Sequence, residues 1–301
     1  MNGLKAERVR CRVKGRLNMR TLVKYRGGKS RELPEFRQYI PNEYERYIEP
    51  FFGGGAVFFD LEPEHAIVND INAKLMNFYA EVRNNYDELT AELGALQLIY
   101  DENQAAYRRE KILSPDVRVE NRNEELYYRI RNMFNGLMDS EYLEGTIYYF
   151  INKTAYSGMI RYNKNGEYNV PFGRYVNFNT QIVTQEHSRL LQQAELFNVD
   201  YENIFEMAGD RDFMFLDPPY DCIFNDYGNI DMQNGFDEEE HRRLANNFRN
   251  LQCRAMMIIG RTPLTEELYG DLIRHQYPKK YAVNIRNRFN AEAMHIVVTN
   301  Y

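Results

Sequence analysis

The chain has 301 residues, 44% of them hydrophobic, and a formal net charge of −6, enough for one large domain or a domain with an insertion. The mean hydropathy of −0.65 and the lack of any run of roughly 18 apolar residues argue against a membrane-spanning protein. Three scattered cysteines, Cys11, Cys222 and Cys253, form no Cys-x-x-Cys pair. We therefore expect neither a structural zinc nor a disulfide framework, and the predicted compartment is a reducing cytoplasm.

The charges are distributed unevenly along the chain. Residues 1–31 carry eleven Lys or Arg and one acid, Glu7, for a net of +10, so the remainder is strongly acidic. A basic arm of this kind can meet phosphates, but the plainer interpretation of residues 1–19 is a flexible, solvated tail. That tail has no apolar segment, so we expect no secretory signal in it.

Two glycine-rich turns come first in the predicted domain. Residues 24–29 (Lys-Tyr-Arg-Gly-Gly-Lys) place two glycines between lysines that can meet a carboxylate or a phosphate. A strand predicted at residues 46–49 leads into residues 49–55 (Glu-Pro-Phe-Phe-Gly-Gly-Gly), a strand–turn–helix arrangement that brings a ligand against bare backbone. The spacing fits neither G-x-G-x-x-G nor a P-loop. This disfavours a dinucleotide or a nucleoside triphosphate and leaves a smaller nucleoside-like cofactor open.

A second strand, predicted from Ala66, ends in an acid, Asp70. An acid at this place holds a ribose hydroxyl in α/β nucleoside sites. A helix is predicted to begin at Ala73, so the plainer role of Asp70 is that of a helix N-cap, and the two roles can coexist.

The region from residue 73 to about 180 differs in character from what precedes it. Helix-period patterns predict helices over residues 74–93, 124–137 and 141–150, with no clear strand between them. We therefore interpret this region as a mostly helical insertion between two halves of a sheet domain.

A polar, aromatic segment at residues 150–175 closes this insertion. Asn165-Gly166 within it predicts a two-residue hairpin turn. The surrounding Arg, Lys, Asn and Tyr side chains are types that contact phosphates, read base edges and stack on bases. A polar surface hairpin without a ligand is the alternative.

The remainder of the chain returns to a sheet pattern. Strands are predicted at residues 196–199, 213–216, 254–259, 281–287 and 294–299, the last two as an antiparallel hairpin, and helices from Asp237 and over residues 264–274. Residues 20–301 thus predict a doubly wound α/β sheet interrupted by a helical module.

The most specific stretch is Asp217-Pro218-Pro219-Tyr220, which follows the apolar strand at residues 213–216. The prolines must end that strand, so the four residues lie at its carboxyl end, where open α/β sheets place their ligands. A carboxylate can accept one N–H of an exocyclic amine, a proline-fixed carbonyl can accept the other, and a tyrosine offers a face for stacking. This set can hold an amino group on an aromatic ring, whereas the alternative is an ordinary proline turn.

The chain resembles the Dam-like adenine-N6 DNA methyltransferases across roughly residues 20–301. The resemblance rests on the order of five motifs: residues 24–29, 49–55, 69–72 (Asn-Asp-Ile-Asn), 161–173 (from Arg-Tyr-Asn to Asn-Val-Pro-Phe-Gly) and 217–220. It implies a Rossmann-like, S-adenosylmethionine-dependent methyltransferase sheet with an antiparallel C-terminal hairpin and an inserted helical DNA-recognition module.

The resemblance also implies a division of the chain. Residues 1–19 would be the basic, flexible tail. Residues 20–85 and 181–301 would form the catalytic, cofactor-binding domain. Residues 86–180 would form a helical target-recognition insertion with a hairpin loop.

The implied function is site-specific transfer of a methyl group from S-adenosylmethionine to N6 of an adenine flipped out of double-stranded DNA. The catalytic residues would be Asp217, Pro218, Pro219 and Tyr220, and no metal is expected. The cofactor would be bound by Tyr25, Gly28, Lys29, Glu49, Pro50, Phe51, Gly53, Gly55, Asp70, Ile71, Asp200, Tyr201 and Asp217. DNA would be contacted by Lys24, Asn152, Lys153, Tyr156, Ser157, Met159, Arg161, Tyr162, Asn163 and Pro171.

Several alternatives stay open at this point. The acceptor could be another amine, such as cytosine N4, an RNA adenine or a protein glutamine, or the chain could be a DNA-binding homologue without catalysis. An NAD-dependent oxidoreductase is disfavoured because the third glycine is missing. Ser157 and Met159 depart from the family pattern, so the resemblance does not imply the target GATC. A cognate restriction endonuclease is a further expected partner, and a nucleoid-associated cytoplasmic location is expected.

Overall fold

The computed structural model describes residues 19–220, 236–279 and 293–301. The predicted tail up to residue 18 and the predicted strand at residues 281–287 therefore lie outside the described residues. None of the described helices is both long enough and apolar enough to cross a membrane.

Seven strands in the described ranges form one sheet. They are β1 Tyr47–Glu49, β2 Ala66–Asn69, β3 Ala194–Phe197, β4 Phe213–Leu216, β5 Arg254–Gly260, β6 Ile273–Lys279 and β7 Ala293–Thr299. Their order across the sheet is β3-β2-β1-β4-β5-β7-β6. β1 to β5 run parallel, whereas β7 is antiparallel to both β5 and β6. The predicted doubly wound sheet with antiparallel C-terminal strands is confirmed.

Helices cover both faces of this sheet. They are α1 Leu33–Phe36, α2 Ala56–Leu61, α3 Ala73–Asn84, α4 Tyr86–Leu113, α5 Arg122–Phe134, α6 Glu144–Thr154, α7 Gln185–Gln192, α8 Tyr201–Glu206, α9 Glu238–Asn250 and α10 Pro263–Tyr269. Short 3-10 turns occur at Lys29–Arg31, Arg37–Tyr39, Tyr156–Gly158 and Gly270–Leu272.

Burial explains why β4 is apolar along its whole length. Side chains of a strand alternate between the two faces of the sheet, and both faces are covered here. Phe213 and Phe215 pack into the core on one face, which also holds α3 to α6. Met214 and Leu216 pack into the core on the other face, with α8, α9 and α10.

The structure corrects the predicted helix boundaries in two places. The helix predicted over residues 74–93 is two helices, because Asn85 leaves the helical conformation (φ −123°, ψ 32°) and α4 then continues to Leu113. The helix predicted over residues 264–274 ends at Tyr269, and the first strand of the C-terminal pair already begins at Ile273. That strand lies at the edge of the sheet and carries Pro278, so its pattern is only partly apolar.

Five helices, α3 to α7, lie between β2 and β3 along the chain, and the first four, α3 to α6, agree with the predicted helical insertion. α6 is the most buried of them, since nine of its eleven residues are buried. Gly145 near its start lies against α3, where its N–H donates to the Glu81 carboxylate at 2.6 Å. The limits of a separate recognition domain at residues 86 and 180 stay a prediction.

Candidate functional site

A cleft of about 910 Å³, counted with its open mouth, lies at the carboxyl ends of the central parallel strands. β1 stands between β2 and β4, so the strand order changes direction here, the usual place for a ligand in an open α/β sheet. The structure brings together at this cleft every residue predicted to be catalytic or to bind the cofactor. These are Tyr25, Gly28, Lys29, Glu49, Pro50, Phe51, Gly53, Gly55, Asp70, Ile71, Asp200, Tyr201, Asp217, Pro218, Pro219 and Tyr220.

The glycine turn after β1 is built around close packing. Gly53 and Gly55 have φ values of +47° and +63°, which other residues adopt at a cost. A Cβ on Gly53 would lie 2.7 Å from the Tyr25 ring, and a Cβ on Gly55 would lie 2.7 Å from the Phe52 ring. The glycines therefore allow the Tyr25 and Phe52 rings to pack against the turn, and they also expose the backbone to the cleft.

Asp70 fastens this turn to the end of β2. One carboxylate oxygen accepts the Gly53 N–H at 2.8 Å and the other accepts the Asn72 N–H at 2.9 Å. Burial raises the pKa of the carboxyl, and these two hydrogen bonds oppose the rise. The predicted N-cap role of Asp70 is wrong: Asn72 caps α3, accepting the Leu75 N–H. The role of Asp70 toward a ribose stays a prediction.

Asn69 stands in one of the five motifs, but the sequence analysis gave it no role. Its buried amide donates to the carbonyls of Pro50 and Val199, each at 3.0 Å, and accepts the Val199 N–H at 2.9 Å. It thereby ties together the segments that follow β1, β2 and β3. The signal that the sequence offered for this role was a polar residue at the end of an apolar strand.

The carboxylate of Asp217 meets a buried lysine. Lys29 Nζ lies 2.6 Å from one carboxylate oxygen and 2.7 Å from the other, and it also donates to the Gly27 carbonyl at 2.8 Å. The lysine side chain is 2% exposed and the aspartate 21% exposed. Burial raises the pKa of Asp217, while the charge and hydrogen bond of Lys29 hold it down. The prediction that a lysine of this turn meets a carboxylate is confirmed.

Glu49, at the end of β1, is a second buried acid beside the cleft. The Tyr47 hydroxyl donates to its carboxylate at 2.7 Å. Burial above all raises the pKa of Glu49 well above its ordinary value, and the neighbouring Asp217 adds to the rise. This environment suits a carboxylate that receives a cationic group.

Aromatic rings line one end of the cleft. Phe51 lies 5.1 Å from Tyr201 and 6.1 Å from Phe236, measured between ring centroids. Phe236 was missed because its position just before α9 carries no motif. Asp200 is already engaged, since it caps α8 and pairs with Arg243 at 2.9 Å.

Lys24 joins the cleft to the segment predicted to contact DNA. Its backbone N–H donates to the Asn152 side chain, and the Asn152 amide donates back to the Lys24 carbonyl, both at 2.8 Å. Lys24 Nζ reaches the Lys153 carbonyl at 2.9 Å and lies 3.8 Å above the Tyr175 ring. Asn152 is buried and positions Lys24 through these two hydrogen bonds, and its contact with DNA stays a prediction.

Lys153 is half-buried beside Lys24. Burial, with a smaller effect from the charge of Lys24, lowers the pKa of Lys153 to about 8. Its ammonium lies 5.0 Å from the centroid of the Tyr149 ring. An anion brought close to this ammonium would favour its charged form, and the contact of Lys153 with DNA stays a prediction.

The remaining predicted DNA-contacting residues follow α6 closely. Tyr156 is 51% exposed, and its N–H donates to the Pro171 carbonyl at 2.9 Å. Ser157 has a left-handed backbone (φ +57°) and its N–H is held by the Tyr175 hydroxyl at 3.1 Å. Met159 continues this turn, its carbonyl accepting the Tyr168 hydroxyl at 2.9 Å.

A short hairpin carries Arg161, Tyr162 and Asn163. A bridge pairs Tyr162 with Tyr168. The Asn163 N–H donates to the Glu167 carbonyl at 2.8 Å, which encloses a three-residue loop ending in Gly166 (φ +77°). The predicted hairpin is confirmed, but its two-residue turn is wrong, because the loop has the three-residue form with a left-handed glycine.

Arg161 is oriented by its neighbour across the hairpin. Its Nε donates to the Asn169 side chain at 2.8 Å, and the Asn169 N–H donates to the Arg161 carbonyl at 3.1 Å. The guanidinium is exposed.

In the described ranges no three His, Cys, Asp or Glu side chains are grouped as a metal site requires.

A doubly wound sheet whose glycine turn and Asp-Pro-Pro-Tyr motif meet at neighbouring strand ends defines a Rossmann-like methyltransferase. Comparison with known proteins gives the particular family. Residues 25–285 match the family model described as "D12 class N6 adenine-specific DNA methyltransferase", and the chain belongs to this family.

Individual relatives agree with that membership. The chain is 34% identical over 291 residues to "Type II methyltransferase M.CviBI" of Paramecium bursaria Chlorella virus NC1A, covering 94% of this chain and 100% of the relative. It is 32% identical to "Type II methyltransferase M.MjaIII" of Methanocaldococcus jannaschii, covering 85% and 88%. It is 28% identical to a "DNA adenine methylase" of Haemophilus influenzae, covering 86% and 85%.

Proposed function

We propose that this adenine-specific DNA methyltransferase uses S-adenosylmethionine to methylate N6 of an adenine that it flips out of double-stranded DNA at one short sequence. One observation carries the proposal: Asp217 and Tyr220 share a cleft with the glycine turn, Asp70 and Glu49. The first pair suits an aromatic amine, whereas the other groups suit a nucleoside-like cofactor with a cationic end.

The cleft has the chemical groups that the proposed cofactor needs. Two buried carboxylates, Glu49 and Asp70, can accept from an ammonium group and from ribose hydroxyls, and Phe51, Tyr201 and Phe236 offer ring faces and edges for adenine. When bound, S-adenosylmethionine supplies an electrophilic methyl group. Binding by this chain's residues serves to place that group beside Asp217.

On the substrate side, Asp217 and the Pro218 carbonyl would accept the two N6 hydrogens of the flipped adenine. These bonds fix the direction of the nitrogen lone pair and draw it out of conjugation with the ring. Tyr220 would stack on the base and repay part of the few kcal/mol lost from the duplex stack. Lys29 would keep the Asp217 carboxylate ionised, so that it acts as an acceptor.

On the duplex side, the turn at Tyr156–Gly158 and the hairpin that follows it would enter the DNA. The exposed ring of Tyr156 suits insertion between bases, and the exposed guanidinium of Arg161 suits a bidentate contact to a guanine edge. Ser157, Met159, Tyr162, Asn163 and Pro171 surround them, while Lys24 and Lys153 would meet phosphates.

A cognate restriction endonuclease forms a further part of this proposal. Two of the relatives named above carry the name Type II methyltransferase, which supports a role in a restriction–modification pair. The enzyme would then act on DNA in the cytoplasm, at the nucleoid of a prokaryotic or phage-infected cell.

The test is transfer of tritiated methyl from S-adenosylmethionine to unmethylated genomic DNA, followed by mapping of the modified bases. We expect N6-methyladenine in one short motif. If that motif is GATC, Ser157 and Met159 are neutral replacements for the usual residues. N4-methylcytosine, or label that enters only RNA or protein, would contradict the proposal. A variant with both Lys29→Gln and Asp217→Asn serves as the inactive control.

A further inference from the structure

A buried polar cluster lies beside Tyr220, and its residues have been given no role so far. Its centre is Glu32, 5% exposed, in the turn that follows Lys29. One Glu32 oxygen accepts the Tyr277 hydroxyl at 2.9 Å and lies 2.6 Å from His295 Nδ1. The other oxygen contacts the ammonium of Lys279. β6 and β7, which carry these partners, are thereby joined to the N-terminal turn.

The charge of Glu32 is fixed by this environment. Burial alone would raise the pKa of the carboxyl, but the His295 hydrogen bond, the charge of Lys29 and the Lys279 contact together lower it to about 2. An ionised Glu32 orients the His295 ring by accepting from Nδ1.

His295 in turn contacts Tyr220 with the geometry of an edge-to-face pair. The two ring centroids are 4.9 Å apart and the ring planes are 88° apart. On another side, Gly260 lies against Tyr220: a Cβ built there would lie 3.7 Å from the ring, an ordinary van der Waals distance. Lys29 Nζ lies 5.1 Å from the ring centroid.

We propose that Glu32 and His295 are positioning residues for Tyr220. Glu32 sets the orientation of the His295 ring, and His295 sets the plane in which Tyr220 receives the flipped base. This inference rests on the proposed function. A base held only by Asp217 and Pro218 could tilt about its amino group, and a fixed Tyr220 plane removes that freedom before the base arrives.

The test compares His295→Gln and Glu32→Gln with a matched control, Tyr277→Phe. The control removes a hydrogen bond to the same Glu32 carboxylate but keeps the ring beside His295. Single-turnover methyl transfer, cofactor affinity by calorimetry, and fluorescence of 2-aminopurine at the target position would be measured for each. We expect the first two variants to lose about tenfold in rate with unchanged cofactor affinity and weaker 2-aminopurine quenching. Tyr277→Phe should stay within about twofold of wild type in all three measurements.

Repeating His295→Gln in a Tyr220→Ala background shows whether His295 acts through Tyr220. We expect no further loss of rate there, because the ring that His295 orients is absent. The same tenfold loss in both backgrounds, or a wild-type rate in His295→Gln, would overturn the inference. If His295→Gln fails to fold, Glu32→Gln decides, since it keeps the size of the side chain. The wild-type rate on adenine tests the proposed function separately, because positioning is judged only from the ratios between variants.

Discussion

Lys29 and Asp217 form an ion pair in which one ammonium lies within 2.7 Å of both carboxylate oxygens. The two residues are 188 positions apart in the chain. The pair joins the first glycine turn to the Asp-Pro-Pro-Tyr motif. Because of this pairing, a substitution of Asp217 also affects the buried Lys29 ammonium.

Asp217→Ala is expected to abolish methyl transfer and also to destabilise the fold. Removal of the carboxylate leaves the Lys29 ammonium buried without its partner, which we expect to cost up to about 3 kcal/mol in the free energy of unfolding. The double variant with Lys29→Gln and Asp217→Asn removes both charges, so it should recover most of that stability while staying inactive. Urea unfolding and methyl transfer would be measured side by side. Full activity in Asp217→Ala would remove Asp217 from the mechanism.

Lys29→Gln is expected to change the pH dependence of methyl transfer. Burial already raises the pKa of Asp217, and Lys29 opposes that rise. Without the lysine the pKa of Asp217 rises further. As the pH is lowered, Asp217 therefore becomes protonated at a higher pH than in the wild type, and the rate of methyl transfer falls at that higher pH. A shift of about 1–3 pH units in the acidic limb is the expected size for loss of a close opposite charge.

The control for this pH experiment is Arg31→Gln, an exposed residue in the same turn. Single-turnover rates across the pH range would give both profiles. An unchanged acidic limb in Lys29→Gln would mean that another group limits the rate at low pH. A shift of the same size in Arg31→Gln would mean that net charge, and not the contact with Asp217, causes the change.

Gly53→Ala is expected to impair cofactor binding more than stability alone explains. The alanine would combine a left-handed backbone with a Cβ 2.7 Å from the Tyr25 ring, so Tyr25 must move out of its place in the cleft. Gly136→Ala is the matched control, because Gly136 has φ +70° but nothing within 4 Å of an added Cβ. The control should lose about 1–2 kcal/mol of stability and keep its cofactor affinity. Equal cofactor affinity in both variants, measured by calorimetry, would contradict the role given to Tyr25.

These contacts show which parts of the site local sequence could predict. The glycine turn and the Asp-Pro-Pro-Tyr motif are short, and their chemistry depends on neighbours in the chain, so both could be found locally. The rest of the predicted lining came from the family resemblance, which left out Phe236. His295 was missed because its partner Glu32 is 263 positions away and neither stands in a motif. Asn152 was assigned to DNA by its neighbourhood in sequence. Only the tertiary structure shows that α6 buries its amide against the Lys24 backbone.

Arg161→Ala is expected to relax the preference for one base of the target sequence by about 1–3 kcal/mol, if the exposed guanidinium makes a bidentate base contact. Asn169→Ala should have a smaller effect of the same kind. The Asn169 side chain accepts a hydrogen bond from Arg161 Nε at 2.8 Å and so restricts the orientation of the guanidinium. Lys164→Ala, on the exposed tip of the same hairpin, is the matched control and should leave base preference unchanged. Methyl transfer to a set of duplexes that differ at single positions would be measured for each variant. A uniform loss of methyl transfer across all duplexes in Arg161→Ala would instead identify a phosphate contact. The salt dependence of DNA binding would then decrease by the equivalent of about one phosphate.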